Sequence, residues 1–238
     1  MFNTLFKKSL PNDFQNILRR ADILAEQGNT EGLKDLIKLI MRPIQARHML
    51  DAYKKDDKQA ICEIGLDTSL GFRCFINAKV DGHFIHNRTL IDWLHSDDCK
   101  IKGNKPLLSL ASDTILPTPW DPLSIIANLG QIGHNRLKGQ FKQATKHSIT
   151  YIYPLMIGLV NSGNHSIMQG ILDGYGEITP SDVYDISCLL DAVYFDGTNW
   201  ISHHGGEEIG KPPYVEFGWI WEIAKRYVNA KSKLEHCS

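Results

Sequence analysis

Cysteine is scarce in this sequence, and its spacing forms no recognisable pair. Among the 238 residues the cysteines are Cys62, Cys74, Cys99, Cys188 and Cys237. No two of them are spaced as CxxC, so the sequence predicts neither a disulfide framework nor a zinc knuckle. Scattered single thiols are typical of the reducing cytosol. We therefore expect a cytoplasmic protein, bacterial in style.

Long apolar runs and an excess of one charge are also absent. No run approaches the roughly 18 apolar residues of a membrane helix, and the first residues are too interrupted for a signal peptide, so we expect no membrane partner. The formal net charge of −1 excludes a global basic field. Any site for a polyanion must therefore be a local patch. Walker A, GxGxxG, GxSxG and HExxH patterns are missing, which disfavours several common enzyme classes.

The beginning of the chain has the apolar spacing of helices. Residues 12–27 place apolar side chains on one face, and a second such set runs from Leu33 to Met41, with Ile44 lying beyond a kink or break at Pro43. This spacing predicts an N-terminal helical hairpin within residues 1–58. A mixed α/β domain should follow over residues 59–238, and the fold class is α+β, or α/β with a mixed sheet.

Later segments alternate between strand and helix signals. Asp81-Gly82 is a turn signature that predicts a β-hairpin. Residues 181–196 favour a helix that turns into a strand, and residues 216–234 have the spacing of an amphipathic helix. "SHHGGEEIG" (202–210) places histidines side by side, and adjacent side chains of a strand point to opposite faces. We expect a turn there, and no metal site.

A small polar loop between a strand and a helix is the main functional signal. The apolar run "YIYPLMIGLV" (151–160) predicts a buried strand, and helical spacing resumes after Gly163. The first N–H groups of a helix lack partners and carry partial positive charge, so this loop is a potential phosphate site. Gly163 would allow close approach, Asn164 and Ser166 would donate hydrogen bonds, and His165 would act as acid or base.

That loop also has a purely structural interpretation. Asn164 or Ser166 could cap the helix, with His165 as a satisfied structural residue. The same two interpretations exist for "WDPLS" (120–124). Asp121 could be a base or a metal ligand beside a Trp120 that stacks on a nucleobase. Alternatively, Asp121 caps a helix and Trp120 fills the core.

"GNHSIMQGI" (163–171) resembles the second motif of the ParB/sulfiredoxin-like superfamily, and "WDPLS" is similar in place and character to the first. The likeness covers residues 115–175. It implies a core in which the loop cradles nucleotide phosphates, with a nucleoside triphosphate and Mg²⁺ as ligands and a role in phage defence or DNA modification. The superfamily's Arg is Ser166 here, which removes a strong phosphate-binding side chain. Asn164 stands at sulfiredoxin's reactive Cys, which argues against that chemistry.

The whole chain also resembles an uncharacterised bacterial family that carries the same PW and GNHS motifs. Between the two motifs lies a basic segment, "HNRLKGQFKQATKH" (134–147). Arg136, Lys138 and Lys142 could contact nucleic-acid phosphates there, or form a solvated face.

These patterns lead to a functional prediction with an alternative. We expect a nucleotide- or phosphate-binding protein, and phosphoryl transfer or phosphodiester hydrolysis if it is an enzyme, with His165 and Asp121 as catalytic residues. Gly163, Asn164, Ser166 and Trp120 would bind the ligand. The alternative is a non-enzymatic module that binds nucleic acid or a partner protein, in which Arg136, Lys138 and Lys142 make the nucleic-acid contacts.

Overall fold

The structure is a computed structural model, and it describes residues 11–54, 70–71, 76–80 and 82–237. Its helices are α1 (Asn12–Glu26), α2 (Thr30–Lys54), α3 (Leu90–His95), α4 (Pro122–Asn128), α5 (Asn164–Asp173), α6 (Ser187–Leu190) and α7 (Val215–Cys237). Its strands are β1 (Ile76–Val80), β2 (His83–Arg88), β3 (Leu108–Ser109), β4 (Thr114–Leu116), β5 (Ser148–Tyr153), β6 (Ile157–Ser162), β7 (Glu177–Ile178), β8 (Asp182–Asp185), β9 (Val193–Phe195), β10 (Trp200–Ser202) and β11 (Glu208–Gly210). The predicted α+β class is confirmed.

The predicted N-terminal helices are present as α1 and α2. Phe14 and Ala21 are the buried residues of α1. Pro43 does not break α2, which continues past it to Lys54. The boundary predicted between residues 58 and 59 lies outside the described residues.

Helix α7 packs against both N-terminal helices. One hydrophobic cluster contains Phe14 of α1, Ile37 of α2 and Trp221 of α7, all fully buried. At the surface of the same contact, Arg226 Nε lies 2.6 Å from Asp22 Oδ1. The first and last described helices therefore share one core.

A four-stranded mixed sheet, ordered β4-β6-β5-β8, supports the candidate loop. β5 and β6 are antiparallel, whereas β4 pairs with β6 and β8 pairs with β5 in parallel. The run 151–160 was predicted as a single strand, and this is wrong, because it forms the end of β5 and most of β6. Pro154 lacks a backbone N–H for the sheet, so the chain turns there.

Three further sequence predictions concern the β1–β2 hairpin, residues 181–196 and the turn between β10 and β11. β1 and β2 form the predicted hairpin, with Val80 opposite His83. Residues 181–196 are strand, short helix and strand instead of helix and strand, because Asp182–Asp185 pairs with β5 and this tertiary contact overrides the helical spacing. His203 and His204 lie in a turn between β10 and β11, as expected. Over the described residues, no helix has the length and apolar character needed to cross a membrane.

Candidate functional site

The predicted strand–loop–helix transition lies between β6 and α5. Gly163 separates the two elements in the left-handed conformation, with φ at 87°. Within the described residues no side chain caps α5, so the predicted capping by Asn164 or Ser166 is not what the structure shows. The first N–H groups of α5 therefore remain open to another acceptor.

Two features disfavour any residue larger than glycine at position 163: its left-handed backbone and the side chain of His147. A Cβ atom at position 163 would lie 2.4 Å from His147 Cδ2. The space that the glycine leaves is therefore filled by an imidazole. The prediction that this glycine makes room for a ligand needs this correction: on that side, it makes room for His147.

His147 forms a chain of hydrogen bonds with the first turn of α5. Its Nδ1 accepts from the Ala144 backbone N–H at 3.0 Å, so Nε2 carries the proton of the neutral ring. Nε2 donates to Ser166 Oγ at 2.8 Å, and Ser166 Oγ donates to the Gly163 carbonyl at 3.1 Å. The Ser166 hydroxyl hydrogen is thus already used, and the backbone N–H is what Ser166 offers a ligand. Sequence reasoning did not identify His147 as a partner.

Asn164 connects two distant segments. Its Oδ1 accepts a hydrogen bond from the Thr118 backbone N–H at 2.7 Å. Thr118 Oγ1 in turn lies 2.9 Å from His48 Nε2 on α2. The Asn164 side chain thereby fixes the segment before Trp120 against the start of α5, which brings the two predicted motifs together.

Trp120 and His165 are neighbours at this junction. Their ring centroids lie 6.4 Å apart in an edge-to-face arrangement. Trp120 is 61% exposed, so the prediction that it fills the core is wrong. His165 Nε2 is buried and has no hydrogen-bond partner among the described residues. Burial lowers the pKa of His165, against the opposing effects of a backbone hydrogen bond to Asp121 and the charge of that residue, so the ring is neutral at neutral pH.

Asp121 caps the short helix α4. Its carboxylate accepts hydrogen bonds from the backbone N–H groups of Leu123, at 3.3 Å, and Ser124, at 3.2 Å, and from the Ser124 hydroxyl. The Ser124 hydroxyl is the main cause that lowers the pKa of Asp121. A carboxylate held in its charged form is a weak base. The geometry therefore matches the capping interpretation of Asp121.

An open cavity of about 340 Å³ lies where the two motifs meet. It is lined by Trp120, Ser124, Asn128, Lys146, Asn161, Ser162, Gly163, Asn164, His165 and Ser166. Lys146 supplies a positive charge, and no carboxylate is among these described lining residues. Asp121 is not part of the lining.

The predicted basic segment divides into two roles. Arg136 donates to the Ile132 carbonyl at 2.8 Å and lies 3.8 Å from Asp173, so it holds its own loop to α5. Lys138 and Lys142 instead line a second cavity of about 400 Å³, which shares Ser166 with the first.

Among the residues that the structure describes, no group of three or more His, Cys, Asp or Glu side chains is placed to hold a metal ion.

Comparison with known families gives the chain its family. Residues 3–234 match the model of a family of unknown function, DUF6710. The chain belongs to this family. No curated protein and no solved structure matches it. The family match does not connect DUF6710 to the ParB/sulfiredoxin-like superfamily, and that resemblance stays a prediction.

Proposed function

We propose that this DUF6710 protein binds a nucleotide in the cavity at the start of α5. The observation that carries the proposal is the meeting of three features at one cavity: the uncapped helix N-terminus, Lys146, and the exposed Trp120 ring. Each of the first two favours phosphate, and the third favours a nucleobase.

The phosphate part of the proposal rests on charge and open donors. A helix N-terminus presents N–H groups and about half a positive charge. Lys146 adds a full positive charge at the same cavity. This lysine supplies the cation that the superfamily's Arg would supply and that Ser166 does not.

The nucleobase part rests on Trp120. A large aromatic ring that is 61% exposed at the rim of a polar cavity has apolar area left to bury. Stacking of a base on an aromatic side chain stabilises a complex by roughly 1–3 kcal/mol. Trp120 is therefore the residue that we assign to the base.

If the nucleotide is a substrate, the reaction class is phosphoryl transfer or phosphodiester hydrolysis. His165 is the acid–base group of this proposal, because its ring lines the cavity and burial keeps that ring neutral. Asp121 acts through its cap and through its charge, which raises the pKa of His165. Mg²⁺ would enter bound to the triphosphate.

The test is isothermal titration with MgATP, MgCTP, MgGTP, tripolyphosphate and adenosine. We expect Lys146→Gln to weaken binding of nucleotides and tripolyphosphate by about tenfold, or ~1.4 kcal/mol. Trp120→Ala should weaken nucleotides and spare tripolyphosphate. Lys102→Gln is the matched control, because Lys102 pairs with Asp97 on the surface at 2.7 Å and lines neither cavity. Absence of heat with every compound at millimolar concentration would reject the proposal.

Single-stranded nucleic acid is a second candidate ligand, favoured by the two cavities that meet at Ser166. Lys138 and Lys142 extend the positive surface beyond Lys146, and a basic path beside an exposed aromatic ring is typical of such binding. Lys138→Glu with Lys142→Glu should abolish the anisotropy change of a labelled oligonucleotide at low salt and leave mononucleotide binding intact. Arg136 is left unchanged because it anchors the loop to Asp173. An oligonucleotide that binds the double variant normally would exclude this path.

A further inference from the structure

Cys99 and Cys188 form a pair of thiols that lies outside the lining of the cavity at the start of α5. The two residues are 89 positions apart, and their Sγ atoms lie 3.8 Å from each other. An antiparallel bridge between Lys100 and Tyr184 aligns the segments, and the Asp185 N–H donates to the Cys99 carbonyl at 2.7 Å. α6 begins two residues after Asp185, and this turn brings Cys188 to Cys99.

The two thiols differ in access. Cys99 is 1% exposed and belongs to the hydrophobic core. Cys188 is partly exposed and lines a cavity of about 430 Å³ together with His203 and His204. A small molecule that enters this cavity can contact Cys188, whereas Cys99 is not among the described residues that line it.

The pKa values of the two thiols also differ, and the lower one belongs to the more accessible thiol, Cys188. The hydrogen bond between the two thiols lowers the pKa of Cys188 and raises the pKa of Cys99. This bond favours ionisation of Cys188 over Cys99, against burial and the charges of Asp185 and Asp98, which raise the pKa of Cys188. The thiolate is the reactive form of cysteine.

We propose that Cys188 is an oxidation site for small hydroperoxides, and that Cys99 converts the oxidised product into an intramolecular disulfide. The pair shares no lining residue with the cavity at the start of α5. The proposal is therefore independent of nucleotide binding.

The chemistry balances with hydrogen peroxide as the two-electron oxidant. The Cys188 thiolate attacks one peroxide oxygen, an S–O bond forms and the O–O bond breaks. The leaving hydroxide takes a proton from solvent and becomes water, and Cys188 is now a sulfenic acid. Cys99 sulfur then attacks Cys188 sulfur, an S–S bond forms and the S–O bond breaks. The hydroxyl leaves with the Cys99 proton as a second water.

The experiment uses a full-length variant in which Cys62, Cys74 and Cys237 are replaced by Ser, so that only the pair remains. After hydrogen peroxide treatment, intact mass should fall by two hydrogens, peptide mapping should link Cys99 to Cys188, and dithiothreitol should restore the mass. A further Cys99→Ser change should leave a sulfenic acid at Cys188 that dimedone traps. A Cys188→Ser change in its place should abolish both products.

Two results would overturn the proposal. In the first, hydrogen peroxide leaves both thiols reduced in the folded protein but oxidises them in the same protein unfolded in urea. The fold would then be what keeps the thiols unreactive. The other is Cys99→Ser protein with no dimedone adduct at Cys188. If the triple-Ser background does not fold by circular dichroism, the Cys99–Cys188 link is sought by peptide mapping of the oxidised wild-type protein, and its absence there counts against the proposal equally.

Discussion

His147 Nε2 donates a hydrogen bond to Ser166 Oγ across 2.8 Å, and the two residues are 19 positions apart. This bond joins the residue immediately before β5 to the first turn of α5. His147 also fills the space beside Gly163. The shape of the candidate site therefore depends on a histidine that lies outside its lining.

We predict that His147 makes stability depend on pH. Burial and the charge of Lys146 lower its pKa in the folded protein, whereas an unfolded histidine titrates near ~6.5. In the interval between these values the unfolded chain binds more protons, so stability is full above roughly pH 6.5 and is lost as the pH falls through the folded value. Urea unfolding from about pH 8 to about pH 5 measures the slope.

His147→Asn is the control for this slope, because the amide cannot be protonated. The variant should show a flatter pH profile, with a residual slope in the same direction from His165, whose pKa is also lowered. An unchanged profile in His147→Asn would show that the ring of His147 is not the group that titrates.

Gly163→Ala should destabilise the protein more than Gly174→Ala. Both glycines flank α5 in the left-handed conformation, which costs other residues about 1–2 kcal/mol. A Cβ at Gly174 meets no atom within 4 Å, whereas a Cβ at Gly163 meets His147 Cδ2 at 2.4 Å. Overpacking of this kind costs a further ~1–3 kcal/mol. Urea unfolding of both variants gives the difference, and equal losses would contradict the packing of His147 against Gly163.

Asn164 variants separate stability from ligand binding. Asn164→Ala leaves the buried Thr118 N–H without its acceptor, at a cost of roughly 1–3 kcal/mol in unfolding free energy. Asn164→Asp keeps the acceptor and adds a negative charge that a helix N-terminus tolerates well. That charge repels phosphate, so the Asp variant should be stable and bind nucleotides weakly. If a stable Asn164→Asp protein binds nucleotides with wild-type affinity, the phosphate does not bind at the start of α5.

Asp121 variants test whether its carboxylate is a cap or a base. Asn is a good N-cap residue, so Asp121→Asn should unfold at nearly the wild-type urea concentration and Asp121→Ala at a lower one. Loss of the negative charge should also lower the pKa of His165 further, which NMR titration of the imidazole measures. If the protein is catalytic, an Asp121→Asn protein that has no activity but an unchanged His165 pKa would show that the Asp121 carboxylate acts as a base.

The sequence was informative where contacts are local. Apolar spacing identified α1, α2 and α7, and the polar residues after Val160 located the junction of β6 and α5. The Asn164–Thr118 bond brings the segment of Trp120 to residues 163–166, so the two motifs that the sequence singled out meet at one cavity.

Long-range contacts account for what the sequence did not reveal. No local pattern in the sequence predicts that the Ser166 hydroxyl is hydrogen-bonded to His147. Nor does one predict that Cys99 contacts Cys188, which is 89 positions away. Residues 182–185 form a strand because β5 offers an edge to pair with, and that edge exists only in the folded sheet. The exposure of Trp120 likewise follows from tertiary packing, since apolar composition alone favours its burial.

The contact between α1 and α7, the first and last helices of the described residues, has a consequence during synthesis. Asp22 and Arg226 are 204 positions apart, so the ribosome releases α1 and α2 long before α7 exists. The apolar surfaces that they bury against α7 are then uncovered, and a nascent chain in this state is a target for chaperones. Translational stalling before residue 226 should therefore leave the N-terminal helices sensitive to protease, and completion of the chain through α7 should protect them.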